Sequence, residues 1–240
     1  MSPGSATLCI IVPAFNESAN IRPVIDDIRS HQSAAEVVVV NDCSTDDTGA
    51  LALAAGVTVL GLPFNLGIGG AVQTGLKYAL ETGTDLTVQF DGDGQHLAEE
   101  INALLIPLQS DDADVVIGSR FGGRDSYTPP FLRKLGINLL KYTNRMLTGR
   151  TIADNTSGFR AYNRKALAFL ADSYPQDYPE PQAVVELLKN GFRVVEVPVR
   201  MRERSGGLSS IGMLASVYYM IKVLLSNFIA SSRRPVRKKD

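Results

Sequence analysis

Five short runs rich in β-branched and apolar residues, alternating with helical patterns, constrain this chain more than any other feature. The runs cover residues 8–12, 36–41, 57–62, 85–90 and 114–118, and each is bounded by Gly, Pro, Asn or Asp, as strands are. Between them, residues 20–30, 47–55, 69–81 and 98–108 carry apolar side chains at three- and four-residue intervals, the spacing of a one-sided helix. Repeated strand–helix–strand alternation predicts βαβ units and a mainly parallel sheet covered by helices. Near-continuous apolar strands such as Val37–Val40 fit a sheet buried on both faces. Open sheets of this kind bind ligands beyond the carboxyl ends of their strands. Chemistry is therefore expected in residues 13–17, 41–46, 63–70, 91–96 and 119–125.

The second half is more mixed. A long amphipathic helix is expected over 131–147, a polar loop over 151–160, helices near 165–172 and 180–190, and a last strand over 193–199. A basic, glycine-rich loop over 200–210 precedes an apolar helix reaching about residue 230. The simplest division is one catalytic domain over 1–207, an amphipathic helix over 208–232 and a basic tail over 233–240.

Composition narrows the class. With 45% hydrophobic and 20% charged residues, the chain has the apolar material of a folded domain rather than a disordered one. Its 24 basic and 25 acidic residues leave a net charge of −1, so no global field draws it to nucleic acid. Cys9 and Cys43 are too few for a disulfide framework, and Cys9 reads as a buried free thiol. The first apolar run is too short for a signal peptide, which makes a cytoplasmic location the expectation.

The strongest local motif is Asp91-Gly92-Asp93-Gly94-Gln95-His96, directly after a strand. Two carboxylates one residue apart, with an amide oxygen two further on, can converge on one side of a tight turn. Such hard oxygens suit Mg²⁺ or Mn²⁺, which keeps open positions for phosphate. An acidic turn at a strand end is the plainer alternative for these residues taken alone. An EF-hand is disfavoured, because no glutamate closes the loop. His96 is expected to bond the loop backbone. Pro13-Ala14-Phe15-Asn16-Glu17 follows the first strand and Asn41-Asp42 ends the second, so Glu17 and Asp42 can accept bonds from ribose hydroxyls and a base N–H. Residues 44–47 also suit helix N-capping. The segment NLGIGGA at 65–71 resembles a dinucleotide fingerprint, but it follows the third strand and lacks the acidic residue that motif requires. A glycine-rich turn admitting a nucleotide is the better reading.

VPAFNE, VVVNDCSTDDT, NLGIGGA, FDGDGQH, GSRF and DNTSGFRAY, in this order, resemble the family-2 glycosyltransferases. The branch most similar is that of the dolichyl/polyprenyl-phosphate mannose synthases and their bacterial relatives, over about residues 7–210. The resemblance implies a GT-A fold, an α/β architecture with a mainly parallel Rossmann-like sheet, and inverting transfer of a hexose (mannose or glucose) from a GDP- or UDP-sugar. It implies that Pro13, Ala14, Glu17 and Asp42 hold the nucleoside, that Asp91 and Asp93 join them, and that Asp91, Asp93 and Gln95 bind the metal. It also implies that Arg120, Arg133 and Arg204 grip a polyprenyl phosphate, a role that planar guanidinium forks suit. Arg200 and Arg202 are expected to pair with neighbours.

Two alternatives stay open. With a hydroxyl acceptor a base is needed, and Asp154 is the candidate; a non-catalytic nucleotide-binding membrane scaffold is the other. The apolar stretch from 211 to 230 is about long enough to span a bilayer. Lys222 near its middle would cost about 2.5–3.5 kcal/mol there, and Gly212, Ser216, Tyr219, Lys222 and Ser226 form a narrow polar stripe. Peripheral contact with the inner membrane face, helped by the basic tail, and a homo-oligomer interface are both consistent with that pattern.

Overall fold

The computed structural model describes residues 6–121, 131–202, 222–229 and 231, with 131–135 described by backbone alone. Strands β1 (Leu8–Ala14), β2 (Glu36–Asn41), β3 (Thr58–Gly61), β4 (Leu86–Gln89) and β5 (Val115–Ser119) alternate with helices α1 (Ile21–His31), α2 (Thr48–Ala54), α3 (Gly67–Glu81) and α4 (Ile101–Gln109). A short 3₁₀ turn, Ala98–Glu100, opens α4. There follow α5 (Phe131–Thr148), β6 (Arg160–Asn163), α6 (Arg164–Ser173), α7 (Pro179–Lys189) and β7 (Val194–Pro198). Residues 222–229 are helical and pack on α7, where the Ser226 hydroxyl donates to Gln182 at 2.7 Å. The expected segments 208–232 and 233–240 otherwise lie outside the described residues.

The strands form one sheet in the order β3-β2-β1-β4-β6-β5-β7. Every pairing is parallel except those of β6, which runs antiparallel to both β4 and β5. Residues 160–163, expected to fall at the end of a polar loop and the linker after it, are thus a central strand. The reversal matters for position. Arg160, the first residue of β6, pairs with Gln89 at the end of β4 and with Ile117 in β5, so the loop entering β6 arrives at the carboxyl edge.

Alternation along the strands fills two apolar layers. Ile10, Val12, Val37, Val39 and Val88 face α1 and α4, while Cys9, Ile11, Val38 and Val40 face α3 and α6. Helix α1 buries Ile21, Val24, Ile25 and Ile28, the i, i+3, i+4, i+7 stripe of a helix on a core. On the other face α3 lies so close to β1 that a Cβ on Gly75 would stand 2.2 Å from Ile11 Cγ2. The Cys9 thiol is free, and burial, with the Glu36 charge, pushes its pKa up to about 12. It is inert.

Candidate active site

The carboxyl edge of the sheet brings together the ends of β1, β2 and β4. Pro13 and Ala14 close β1, Asp42 follows β2, and the turn Asp91-Gly92-Asp93 follows β4. A cavity of about 230 Å³ opens among Pro13, Ala14, Glu17, Asp42, Asp91 and Asp93, with half-exposed Phe15 and Ile68 at its lip. Six of the seven residues expected on the donor side therefore share one cleft; the seventh, Gln95, is not among those lining it.

Local bonding explains why the loops take this shape. Asn16 and Cys43 adopt left-handed conformations, with φ of 56° and 58°, so each chain turns sharply just past its strand. The two turns are laced: Asn16 N–H donates to Ser44 Oγ, Thr45 N–H to Asn16 Oδ1, and Glu17 N–H to Thr48 Oγ1, at 2.8–3.0 Å. Asp46 accepts from Ser18 and Thr48. Burial raises its carboxyl, but those bonds outweigh it and hold the pKa at about 2. Helix α2 is thus braced by Asp46 rather than by a side-chain bond from its N-cap, Asp47. Asp42, 3% exposed, accepts from Leu66 N–H at 2.7 Å, which fixes the glycine-rich turn against the end of β2. Glu17 takes an amide donor from Asn20 at 2.7 Å.

In the acidic turn, Asp93 Oδ1 accepts from Gln95 N–H at 3.0 Å, and Gly94 supplies the positive φ (76°) that closes it. His96 departs from expectation. Its Nε2 bonds Asp91 Oδ2 at 2.9 Å, a side chain rather than the loop backbone. The ring is buried, stacked on Phe159 at 4.8 Å and edge-on to Phe90. Beneath the same carboxylate lies Gly158, where a Cβ would stand 2.6 Å from Asp91 Oδ2. Burial raises the Asp91 carboxyl, but the charges of His96, Arg120 and Arg160 overcome it and hold the group below the usual carboxylate range. The donor set is therefore an anionic, hard-oxygen one. Among the described residues no three His, Cys, Asp or Glu side chains are arranged to hold a metal. Asp91 and Asp93 both line the cleft, and two carboxylates that leave room for water and phosphate suit Mg²⁺.

Arg120 directly follows β5. Its Nε and Nη2 donate to the two oxygens of Asp154 at 2.7 and 2.6 Å, its backbone N–H adds a third bond, and Nη2 also reaches Thr156. Asp154 is 1% exposed, so this bidentate pair is buried on the acid side. Its loop is held from several directions: Glu196 of β7 accepts from Ala153 and Asp154 N–H, Asn144 of α5 bonds Asn155, and Ser157 Oγ donates to Gly118 O. Fully buried Arg160 donates to the carbonyls of Ser157, Asn155 and Glu180. Arg200 pairs with Glu99 and Glu100, and Arg202 with Asp27. Arg204 and the side chain of Arg133 lie outside the described residues. Gly158, Arg160 and Glu196 were not singled out in the sequence, and His96 was expected to bond backbone rather than Asp91. A charged residue inside a short apolar run, as in VVEVP, was the available signal for Glu196.

A mostly parallel sheet with an acidic turn and a cleft at its carboxyl edge is the arrangement of the GT-A fold. The chain belongs to glycosyl transferase family 2, whose family model matches residues 9–170. It is 34% identical to the polyprenol monophosphomannose synthase of Mycolicibacterium smegmatis over 222 residues, 87% of this chain and 82% of that one. Over 211 residues it is 29% identical to a UDP-N-acetylglucosamine–dolichyl-phosphate N-acetylglucosaminyltransferase of Methanococcus voltae, covering 80% and 84% of the two chains. Among solved structures it is similar to glucosyl-3-phosphoglycerate synthase of Mycobacterium tuberculosis in complex with Mg²⁺ and UDP, with a TM-score of 0.69, 25% identity, and 93% and 79% of the two chains covered.

Proposed function

We propose that this enzyme is a metal-dependent inverting glycosyltransferase that moves a hexose from a GDP- or UDP-sugar to a polyprenyl phosphate. The observation that carries the acceptor choice is the Arg120–Asp154 pair. Asp154 gives both carboxylate oxygens to Arg120 and is shut away from solvent, so it is poorly placed to take a proton from a hydroxyl. A phosphate is already ionised and needs cations to place it, which Arg120, with its side chain 28% exposed, supplies. The names of the mycobacterial and methanococcal relatives, both lipid-phosphate glycosyltransferases, support the same reading.

In this reading the nucleoside occupies the cleft between Pro13, Ala14, Glu17 and Asp42, with the carboxylates receiving ribose and base donors. Asp91, Asp93 and Gln95 would hold Mg²⁺ or Mn²⁺, as the M. tuberculosis enzyme's complexes with Mg²⁺ or Mn²⁺ and UDP support. A divalent ion bound there neutralises the charge that develops on the departing diphosphate. His96 keeps Asp91 aimed and ionised, and Arg120 holds the acceptor phosphate so that its oxygen meets the anomeric carbon from the side opposite the leaving group. Arg133 and Arg204 complete the phosphate grip.

With a polyprenyl phosphate as acceptor, the enzyme would work at a membrane surface, in this reading the cytoplasmic one. No helix among the described residues is long and apolar enough to cross one. Exposed Leu139, Tyr142 and Met146 share one face of α5, and Leu225, Phe228 and Ile229 one face of the 222–229 helix. Both helices pack on α7, which supports peripheral contact there, backed by the basic tail.

The test is an acceptor panel: GDP- and UDP-hexoses with Mn²⁺, offered to polyprenyl phosphate and to hydroxyl acceptors. Transfer to the lipid phosphate is expected, and transfer to hydroxyls alone refutes the proposal. Asp93→Ala is expected to abolish turnover while circular dichroism stays native; full turnover in that variant overturns the metal assignment.

A further inference from the structure

We propose that Glu196 is a positioning residue of the transfer reaction, setting the Arg120 guanidinium through the backbone of Ala153 and Asp154. The proposal rests on the reading of Arg120 as the partner of the acceptor phosphate.

Glu196 is the charged residue in the middle of β7, opposite Ile117 of β5. Its neighbours Val195 and Val197 pack into the layer beneath α1 and α4, so Glu196 shares the opposite face with Val194. On that face Val194 packs against the cluster containing Ile117 and Ile152. One residue further along the loop, the Glu196 carboxylate takes over from this apolar contact. Its Oε2 accepts from Ala153 N–H at 2.6 Å and its Oε1 from Asp154 N–H at 2.7 Å. Short bonds from two successive amides to one anion are about twice as strong as neutral ones. They fix the plane of the chain at Asp154.

The consequence runs onward through Asp154. With its backbone pinned from β7, its side chain points back toward the end of β5, where Oδ2 accepts from Arg120 N–H and Nε, and Oδ1 from Nη2. Carboxylate, amides, carboxylate and guanidinium thus form one chain of bonds between adjacent strands. A hydrophobic residue would suit a half-buried strand position at least as well for stability alone. An anion there serves the loop it binds, and the loop serves Arg120.

The experiment uses Glu196→Gln, which keeps shape and volume. The amide retains one acceptor oxygen and turns an NH₂ toward the second N–H, so one bond is lost and two donors face each other. Four measurements are taken on the full chain: the acceptor KM, kcat, the nucleotide affinity by calorimetry with Mn²⁺, and the acceptor KM of Glu196→Gln in an Arg120→Ala background. The acceptor KM should rise about tenfold, equivalent to about 1.4 kcal/mol, with nucleotide affinity within twofold of wild type. In the Arg120→Ala background the substitution should add nothing further, because its effect acts through that side chain. An unchanged acceptor KM, or losses that add in the double variant, overturns the role of Glu196. If Arg120→Ala alone leaves the acceptor KM unchanged, the assignment of Arg120 falls, and this proposal falls with it. Should Glu196→Gln fail to fold, Glu196→Asp, which keeps the charge on a shorter arm, is read by the same measurements.

Discussion

Gly158→Ala tests whether the acidic turn depends on the loop packed against it. The added methyl would lie 2.6 Å from Asp91 Oδ2 and 2.7 Å from Oδ1, whereas ordinary contacts begin near 3.4 Å. Gly158 itself has no positive φ, so the backbone accepts alanine and the strain falls on Asp91. The carboxylate has to retreat by about 0.8 Å, enough to break a 2.9 Å bond to His96, and a lost charge-assisted bond costs about 1.5–3 kcal/mol. Replacing glycine offsets about 0.4–1 kcal/mol of this by restricting the unfolded chain. The net is a loss of about 1–2 kcal/mol, or a fall in Tm of roughly 3–6 °C for a domain of this size. Turnover should suffer far more, since displacing a binding group by nearly 1 Å costs about a hundredfold. Initial rates against donor and Mn²⁺ concentration, beside thermal unfolding, separate the two effects. Gly61→Ala, whose methyl meets nothing within 4 Å, is the control. A folded Gly158→Ala enzyme with kcat/KM within twofold of wild type would refute the reasoning.

Two further outcomes concern stability. Asp114, 1% exposed, accepts from Arg193 and Asn163 and lies near Lys165; burial raises its carboxyl, but these partners outweigh that and hold the pKa at about 2. A depressed folded pKa stabilises above the unfolded value near 4 and is lost as pH falls from 4 toward 2. Asp114→Asn should therefore remove about 2 kcal/mol of acid-sensitive stability, and Tm profiles of equal slope over that window would contradict it. Gly75→Ala should destabilise by about 1–3 kcal/mol through overpacking, because Ile11 on the central strand has no room to yield; denaturant unfolding with an unchanged midpoint would show that α3 can lift.

Much of the donor half was legible locally. Strand β2 spans the expected residues, and β1, β3, β4 and β5 agree within two residues at each end, because alternating apolar runs bounded by turn residues leave little choice of register. Pro13 and Ala14 end β1, and Glu17, Asp42, Asp91 and Asp93 each lie a few residues past a strand end, so knowing the strands places them. Strand β6 was not legible. Its four residues end in Asn163, which caps α6 by accepting from Ala166 N–H, so the local signal is that of a turn entering a helix. Its pairing partners lie more than forty residues away along the chain. The pairing of Asp154 with Arg120 was hidden for the same reason: each residue alone reads as a candidate for substrate, and their ion pair exists only after the sheet forms.

The reversed strand is what joins the two halves of the site. In a strictly parallel sheet, the loop that enters a strand lies on the amino edge, opposite the ligand. Because β6 runs against β4 and β5, residues 153–159 instead reach the carboxyl edge between them. The polar residues of that loop then divide its neighbours among themselves. Asp154 takes Arg120, Asn155 takes Asn144 of α5, and Ser157 takes the carbonyl of Gly118 at the end of β5. Gly158 clears the space that Asp91 occupies, Phe159 walls in His96, and Arg160 ties the loop's own carbonyls to α7. Each position answers to a different element, so the motif DNTSGFR has no helical or strand periodicity to detect. Its order is set by the sequence of surfaces it passes, from the Arg120 guanidinium to the Asp91 carboxylate.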